Sequence, residues 1–190
     1  MPEQLVRRQD PSNLVWIDLE MTGLDPSHDV ILQAALIVTD KHLNPLESFV
    51  TDIWQPQAAL DAMVPFVREM HAKTGLLGRV ASCRTEVRRA EQQLLERISG
   101  WCPYRPVLCG NTIHSDRKFL DAYMPALAGY LHYRMVDVSS LKVLAGLWLP
   151  STQLYAKPEG GQHDALFDIQ QSIAELAHYR RVMMPALTEG

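Results

Sequence analysis

The chain has 190 residues, 47% of them hydrophobic and 21% charged, a composition that suits a globular protein with enough length to bury one real core. A formal charge of −4 excludes a broad basic groove that neutralises many phosphates of a long duplex, so a nucleic-acid substrate would have to be short or locally bound. Cys83, Cys102 and Cys109 lack Cys-x-x-Cys spacing, which excludes a disulfide framework and a zinc site and fits a reducing cytoplasm.

In chain order, Met1 to Asn13 is polar and has no apolar stretch of the kind a signal peptide needs. No run approaches the ~20 apolar residues of a membrane span, so a cytoplasmic protein without membrane contact is expected. One domain is expected over 1–190, with its core at about 13–183 and short flexible termini. The run from Val15 to Leu24 is apolar and rich in β-formers, yet it carries Asp18 and Glu20 and breaks at Gly23. It predicts a buried strand followed by a turn through Asp25, Pro26 and Ser27. Residues 30–39 and 46–53 predict two more strands, and short turns between the three predict an antiparallel meander. Residues 58–71 read as helical in part, with Pro65 near a helix start, and Gly75 and Gly78 bound a loop. Over 85–98, Val87, Ala90, Leu94, Leu95 and Ile98 recur at helical spacing. Glu86, Arg88, Arg89, Glu91 and Glu96 are expected on the solvated face.

After Pro103 and Pro106, a short strand at 107–109 ends at Gly110 and Asn111. A helix over 115–131 would bury Phe119, Leu120, Tyr123, Met124 and Leu127, with Asp116 in its first turn. Residues 135–138 form a further strand, and Ser139 or Ser140 caps a helix that runs to Trp148 and stops at Pro150. Residues 151–162 make a loop near the upper length of an ordered connection. The last helix, 163 to about 184, turns Leu166, Ile169, Ile173 and Leu176 inward. This order predicts an α/β domain with a mixed sheet whose first strand is central.

Four acids carry the chemistry. Side chains alternate across a strand, so Asp18 and Glu20 face one side, close enough to share a cation, while Leu19 faces the other. Acids on a buried strand are costly unless paired or metal-bound. Taken alone, Asp18 and Glu20 also fit solvated acids at a strand end, or acids paired with Arg or Lys. Asp116 alone fits an acid favoured by the helix dipole. At ~100° per residue, Asp168 falls on the shoulder of the apolar stripe and Asp164 nearly opposite, which makes Asp168 the inward candidate. His163 stands five residues earlier at a loop–helix junction, where capping or surface exposure is the plain alternative.

The segments Trp16-Ile17-Asp18-Leu19-Glu20-Met21-Thr22-Gly23-Leu24, Cys109-Gly110-Asn111 with Asp116-Arg117 and Phe119-Leu120, His132-Tyr133-Arg134 with Asp137-Val138-Ser139, and His163-Asp164-Ala165 with Asp168-Ile169 occur in that order. Through them, from about Asn13 to Tyr179, the sequence resembles the oligoribonucleases of the DEDDh exonuclease superfamily. It departs at Gln33, where relatives often have Glu, and at Phe167, where many have Asp. The resemblance implies a ribonuclease H-like fold, a mixed five-stranded sheet of three antiparallel strands and then two more, flanked by helices. It implies a metal-dependent 3′-to-5′ exoribonuclease that degrades dinucleotides and similar very short RNA to mononucleoside 5′-phosphates by two-metal-ion hydrolysis. Asp18, Glu20 and Asp168 would hold one Mg²⁺ or Mn²⁺, Asp18 and Asp116 the other, partly through water. His163 would take the proton from the attacking water. The resemblance further implies a homodimer in which Leu24 wedges between the two bases of a 5′-phosphorylated dinucleotide. His71, Thr112, Arg134 and Ser139 would close around its 5′ phosphate, and Tyr133 would reach in from the partner chain. An exonuclease for longer or DNA substrates, and a catalytically silent relative that only binds nucleic acid, are the alternatives.

Overall fold

A computed structural model of the chain describes residues 9–158 and 164–183. Strands β1 (Leu14–Met21), β2 (Ile31–Thr39), β3 (Pro45–Asp52), β4 (Val107–Gly110) and β5 (Met135–Asp137) form one sheet in the order β3-β2-β1-β4-β5. β1 runs antiparallel to β2 and β2 to β3, whereas β4 is parallel to β1 and β5 to β4. The meander and the central first strand are therefore as predicted. All of β2 is buried, as expected of a nearly all-apolar strand covered on both faces, and its Gln33 is buried with the rest.

Eight helices complete the described residues: α1 (Gln57–Asp61), α2 (Pro65–Lys73), α3 (Leu76–Ser82), α4 (Val87–Trp101), α5 (His114–Tyr123), α6 (Pro125–Tyr130), α7 (Val138–Trp148) and α8 (Ala165–Met183). None of them is long and apolar enough to cross a membrane. The alternation along β1 divides the core. Val15, Ile17 and Leu19 pack on one face with Ala90, Leu94 and Ile98 of α4 and Phe119 and Leu120 of α5. Trp16 packs on the other with Val138 and Ala145 of α7 and Ala165, Ile169 and Tyr179 of α8. Asp18 and Glu20 share the parity of Trp16, so the acids sit on the face that α8 covers.

Several boundaries differ from the sequence expectation. Residues 58–71 are two helices, because Val64 is extended before Pro65, and a residue preceding proline is pushed out of the helical region. The region bounded by Gly75 and Gly78 is helix α3 rather than a loop. Gly75 adopts φ 72 and separates α2 from α3, and Leu76 and Val80 are buried. The helix expected over 115–131 breaks at Met124, where Pro125 starts α6. Glu91 is buried rather than solvated: its Oε1 accepts from the backbone N–H of Ala126 (2.7 Å) and Leu127 (3.1 Å), satisfying the first turn of α6. Asp137, not Ser139 or Ser140, caps α7 by accepting from Ser139 N at 2.9 Å. On α8, Ile169 is buried as expected, but Leu166, Ile173 and Leu176 are only partly covered, while Ser172, Glu175 and Tyr179 are buried. The loop expected over 151–162 begins with a 3₁₀ turn at Ser151–Gln153; residues 159–162 and the start of the last helix at His163 lie outside the described residues.

Candidate active site

Carboxylate oxygens of Asp18, Glu20 and Asp168 lie within 4.8 Å of one another. β1 supplies the first two from the centre of the sheet. α8 supplies the third from its first turn, held by Ala165 and Ile169 packed under Trp16. Asp168 faces the cluster as its angular position predicts, while Asp164, expected one turn earlier inside the helix, instead precedes it and caps it by accepting from Phe167 N at 3.0 Å. Asp116 arrives from a different direction. β4 pairs with β1 only as far as Trp16, so the N–H of Leu19 lacks a strand partner on that edge, and Asp116 Oδ1 accepts it at 3.0 Å. Gly110 permits the approach of the β4–α5 connection: a Cβ there would lie 2.8 Å from Ile113 Cδ1 and 3.3 Å from the Ile17 carbonyl.

The acids strain one another electrostatically. Burial, then the charges of Asp168, Asp116 and Asp164, pushes Glu20 up to about 8. Burial raises Asp116 to about 7 against the backbone N–H groups that favour its ionised form. Asp18 is raised well above the usual carboxylate range by burial and by Asp116, Glu20 and Asp168, with Lys157 opposing. The Lys157 ammonium sits on Asp168 Oδ1 and lies 5.9 Å over the Phe167 ring, so a cation already occupies one edge of the cluster. Crowded hard oxygens short of positive charge suit a divalent cation bound through oxygen.

His71 is fully buried beside this cluster. Its Nε2 donates to the Met21 carbonyl at 2.8 Å, and its Nδ1 is 3.8 Å from Glu20 Oε2. Thr112 and Ser139 meet each other: Ser139 Oγ accepts from Thr112 N at 2.8 Å and lies 3.0 Å from Thr112 Oγ1. Thr112 adopts φ 53, a left-handed conformation stabilised by its N–H bond to Asp137 Oδ1 at 2.9 Å. Tyr133 is 69% exposed, stacked on His132 at 4.5 Å, with the Arg134 guanidinium 5.4 Å over its ring. Leu24 stands 80% exposed on the turn after β1. His163 lies outside the described residues.

Sequence reasoning missed Lys157, whose loop position carries no periodic signal, and a partly buried network behind the site. In that network Asn111 Nδ2 donates to Ser172 Oγ (2.9 Å) and Glu175 Oε2 (3.1 Å), Ser172 Oγ donates to the Asp168 carbonyl (2.9 Å), and Ser139 Oγ donates to Asn111 Oδ1 (3.1 Å). It joins the helix carrying Asp168 to the Thr112–Ser139 pair. Asn111 stood in a family segment, but nothing in the order of residues paired it with Glu175.

Residues 15–176 match the family model described as Exonuclease, of the RNase T type, and the chain belongs to that family. Solved structures of exonuclease I share the fold. That from Methylocaldum szegediense superposes with a TM-score of 0.67 at 21% identity, over 92% of this chain and 41% of that one. Escherichia coli exonuclease I in complex with a dT13 oligonucleotide gives 0.64 at 18% identity, over 94% and 43%. The chain thus spans about two-fifths of the length of those structures. Much nearer in sequence are the oligoribonucleases of Ectopseudomonas mendocina, 46% identical over 94% of this chain and 99% of that one, and of Pseudomonas aeruginosa, 49% identical over 90% and 96%. Within the exonucleases the protein is accordingly a member of the oligoribonucleases, enzymes of the 3′-to-5′ exoribonuclease class.

Proposed function

We propose that the protein removes mononucleoside 5′-phosphates from the 3′ end of very short RNA, with 5′-phosphorylated dinucleotides as its preferred substrate. The convergence of Asp18, Glu20 and Asp168, with Asp116 tied to the backbone between the first two, carries this reading. Asp18, Glu20 and Asp168 would hold one Mg²⁺ or Mn²⁺, and Asp18 with Asp116 the other. When bound, the two cations supply an activated water and charge neutralisation at the leaving 3′-oxygen. The chain's own residues do the rest. His163 takes the proton of the attacking water on an imidazole nitrogen. Thr112 and Ser139 bring two hydroxyls to one place, and Arg134 brings a planar guanidinium suited to a terminal phosphate. His71, the remaining member of the cap, is buried here with its Nε2 on the Met21 carbonyl and its Nδ1 beside Glu20, so reaching the 5′ phosphate would require the substrate to open this contact. A cap of donors one nucleotide upstream of the reacting phosphate favours a 5′-terminal phosphate and leaves no exit for longer RNA.

A homodimer completes the reading. Val143, Leu147 and Trp148 leave an apolar face on α7 uncovered, directly after the edge strand β5 with its exposed Met135, and Tyr133 projects just before that strand. A second copy over this face would cover it and carry Tyr133 to the partner's site. The three free cysteines favour a reducing cytoplasm, and the single sheet favours one domain over 1–190.

Labelled 5′-phosphorylated di-, tri- and tetranucleotides incubated with Mg²⁺, Mn²⁺ or EDTA test the proposal. Metal-dependent release of mononucleotides is expected, with kcat/KM falling steeply beyond the dinucleotide. A flat length dependence, or preference for DNA, would favour an exonuclease of longer substrates; binding without cleavage would leave a silent relative. Mixing Asp168→Asn with Tyr133→Ala should restore activity in mixed dimers if Tyr133 acts in trans. Mixed dimers that form without regaining activity would assign Tyr133 to its own chain.

A further inference from the structure

Directly after the two acids of β1, the chain holds a leucine out in water on a turn braced at almost every residue. Thr22 N donates to the Val30 carbonyl and Val30 N to Thr22 Oγ1, both at 3.0 Å, closing the base of the turn. Asp29 fills its middle: Oδ1 accepts from Thr22 Oγ1 and Oδ2 from Asp25 N, each at 3.0 Å, while Asp29 N donates to the Asp25 carbonyl at 2.7 Å. The carboxylate lies so close over Gly23 that a Cβ there would come within 2.4 Å of Asp29 Oδ2. From outside, the Tyr123 hydroxyl of α5 is directed at the Asp29 carbonyl (2.7 Å) and the Pro26 carbonyl (3.1 Å). The Tyr123 ring stacks on the buried Phe119 at 6.1 Å.

Asp116 and Tyr123 are seven residues apart on α5, two helical turns, and therefore lie on one face. One end of this face holds the Leu19 backbone between the acids, and the other holds the turn. We propose that Asp29 and Tyr123 are positioning residues for substrate recognition: they fix the 22–30 turn to the same helix that carries Asp116, so that Leu24 meets the substrate's bases at a set distance from the reacting phosphate. The inference rests on the proposed wedge role of Leu24. A loose turn would have to be ordered at each binding event, at a cost in side-chain and loop entropy, whereas a braced turn has been ordered on folding. The brace therefore acts on KM and leaves the chemistry at the acids alone.

The test uses the full-length enzyme with a 5′-phosphorylated dinucleotide and a double-mutant cycle. Tyr123→Phe removes only the hydroxyl and should raise KM about fivefold with kcat within about twofold of wild type. Asp29→Ala should raise KM about tenfold or more, with thermal melting checking that both variants fold. In a Leu24→Ala background, adding either change should move KM by less than about twofold, because a brace with nothing to present has no effect of its own. Tyr123→Phe and Asp29→Ala that fold but leave KM unchanged, while Leu24→Ala raises it, would overturn the brace and leave the wedge. Effects that multiply in full with Leu24→Ala, or a fall in kcat at constant KM, would overturn it too. Leu24→Ala without effect on KM would overturn the wedge, and the brace with it.

Discussion

The two sides of the acidic cluster handle charge in opposite ways. On β1, Asp18 and Glu20 are fixed by β2 along one edge and, along the other, by the Leu19 N–H bond to Asp116, and burial together with mutual repulsion holds their pKa values high. On α8, Asp168 is half-buried and pairs with Lys157. The rigid side thus carries an unmet demand for positive charge, and the sheet absorbs its cost; the other side meets a cation supplied by the chain itself. The site therefore stores its electrostatic strain where the backbone is least able to relax it, as expected of groups arranged for function rather than stability.

The largest effect should come from removing the charge on either side. Asp116→Asn and Asp168→Asn should each lower turnover by ~10³ or more at saturating Mg²⁺, since an amide cannot supply the charge that holds a cation. Stability separates the sides: in EDTA at neutral pH, Asp18→Asn should raise Tm by relieving a buried repelled charge, whereas Asp168→Asn should not, because it forfeits the Lys157 pair. Equal shifts in the two variants would erase the distinction.

Next in size is the proposed base. His163→Ala should reduce turnover by ~10² with little change in metal affinity, and the acidic limb of the pH–rate profile should flatten. An unchanged profile would assign the proton elsewhere.

The pH dependence of stability sharpens the comparison further. Carboxyl groups whose folded pKa lies above the unfolded value bind protons more tightly when folded, so their contribution is present below the ordinary carboxylate range and is lost as pH rises through the folded values. With Glu20 moved from 4.5 to about 8 and Asp116 from 3.8 to about 7, Tm of the metal-free protein should fall as pH rises through that window. Mg²⁺ should oppose the fall, increasingly so at the alkaline end. A Tm in EDTA that is flat from pH 5 to pH 9 would refute the strain.

The smallest effect belongs to Lys157. Lys157→Ala should tighten divalent-metal binding by about threefold, the scale of a partly exposed ion pair, because the ammonium no longer competes for Asp168. Weaker binding would make the lysine a helper rather than a competitor.

Much of the acidic cluster is legible in the order of residues alone. Period-two alternation puts Asp18 and Glu20 on one face whatever surrounds β1, because the strand's own dihedrals decide it. The angular position of Asp168 turns it, rather than Asp164, toward the cluster for the same local reason. Even the break at Pro125 follows from a local rule, that a residue before proline leaves the helical region, although the apolar stripe running through Met124 and Leu127 masked it. Glu91, Glu175, His71 and Lys157 are different. Glu91 is buried because α6 brings Ala126 and Leu127 N–H groups to it, and Glu175 because Asn111, 64 residues away, donates to it. His71 is found fifty residues beyond Met21, whose carbonyl it holds, and Lys157 folds back from its loop onto Asp168, 11 residues further along the chain. Which faces are apolar, which strand carries the acids and where most turns fall can be read along the chain alone, since these depend on dihedral preferences and spacing among near neighbours. Which polar groups find partners across the chain is settled by packing, because burial and hydrogen-bond satisfaction are properties of elements brought together and have no local signature.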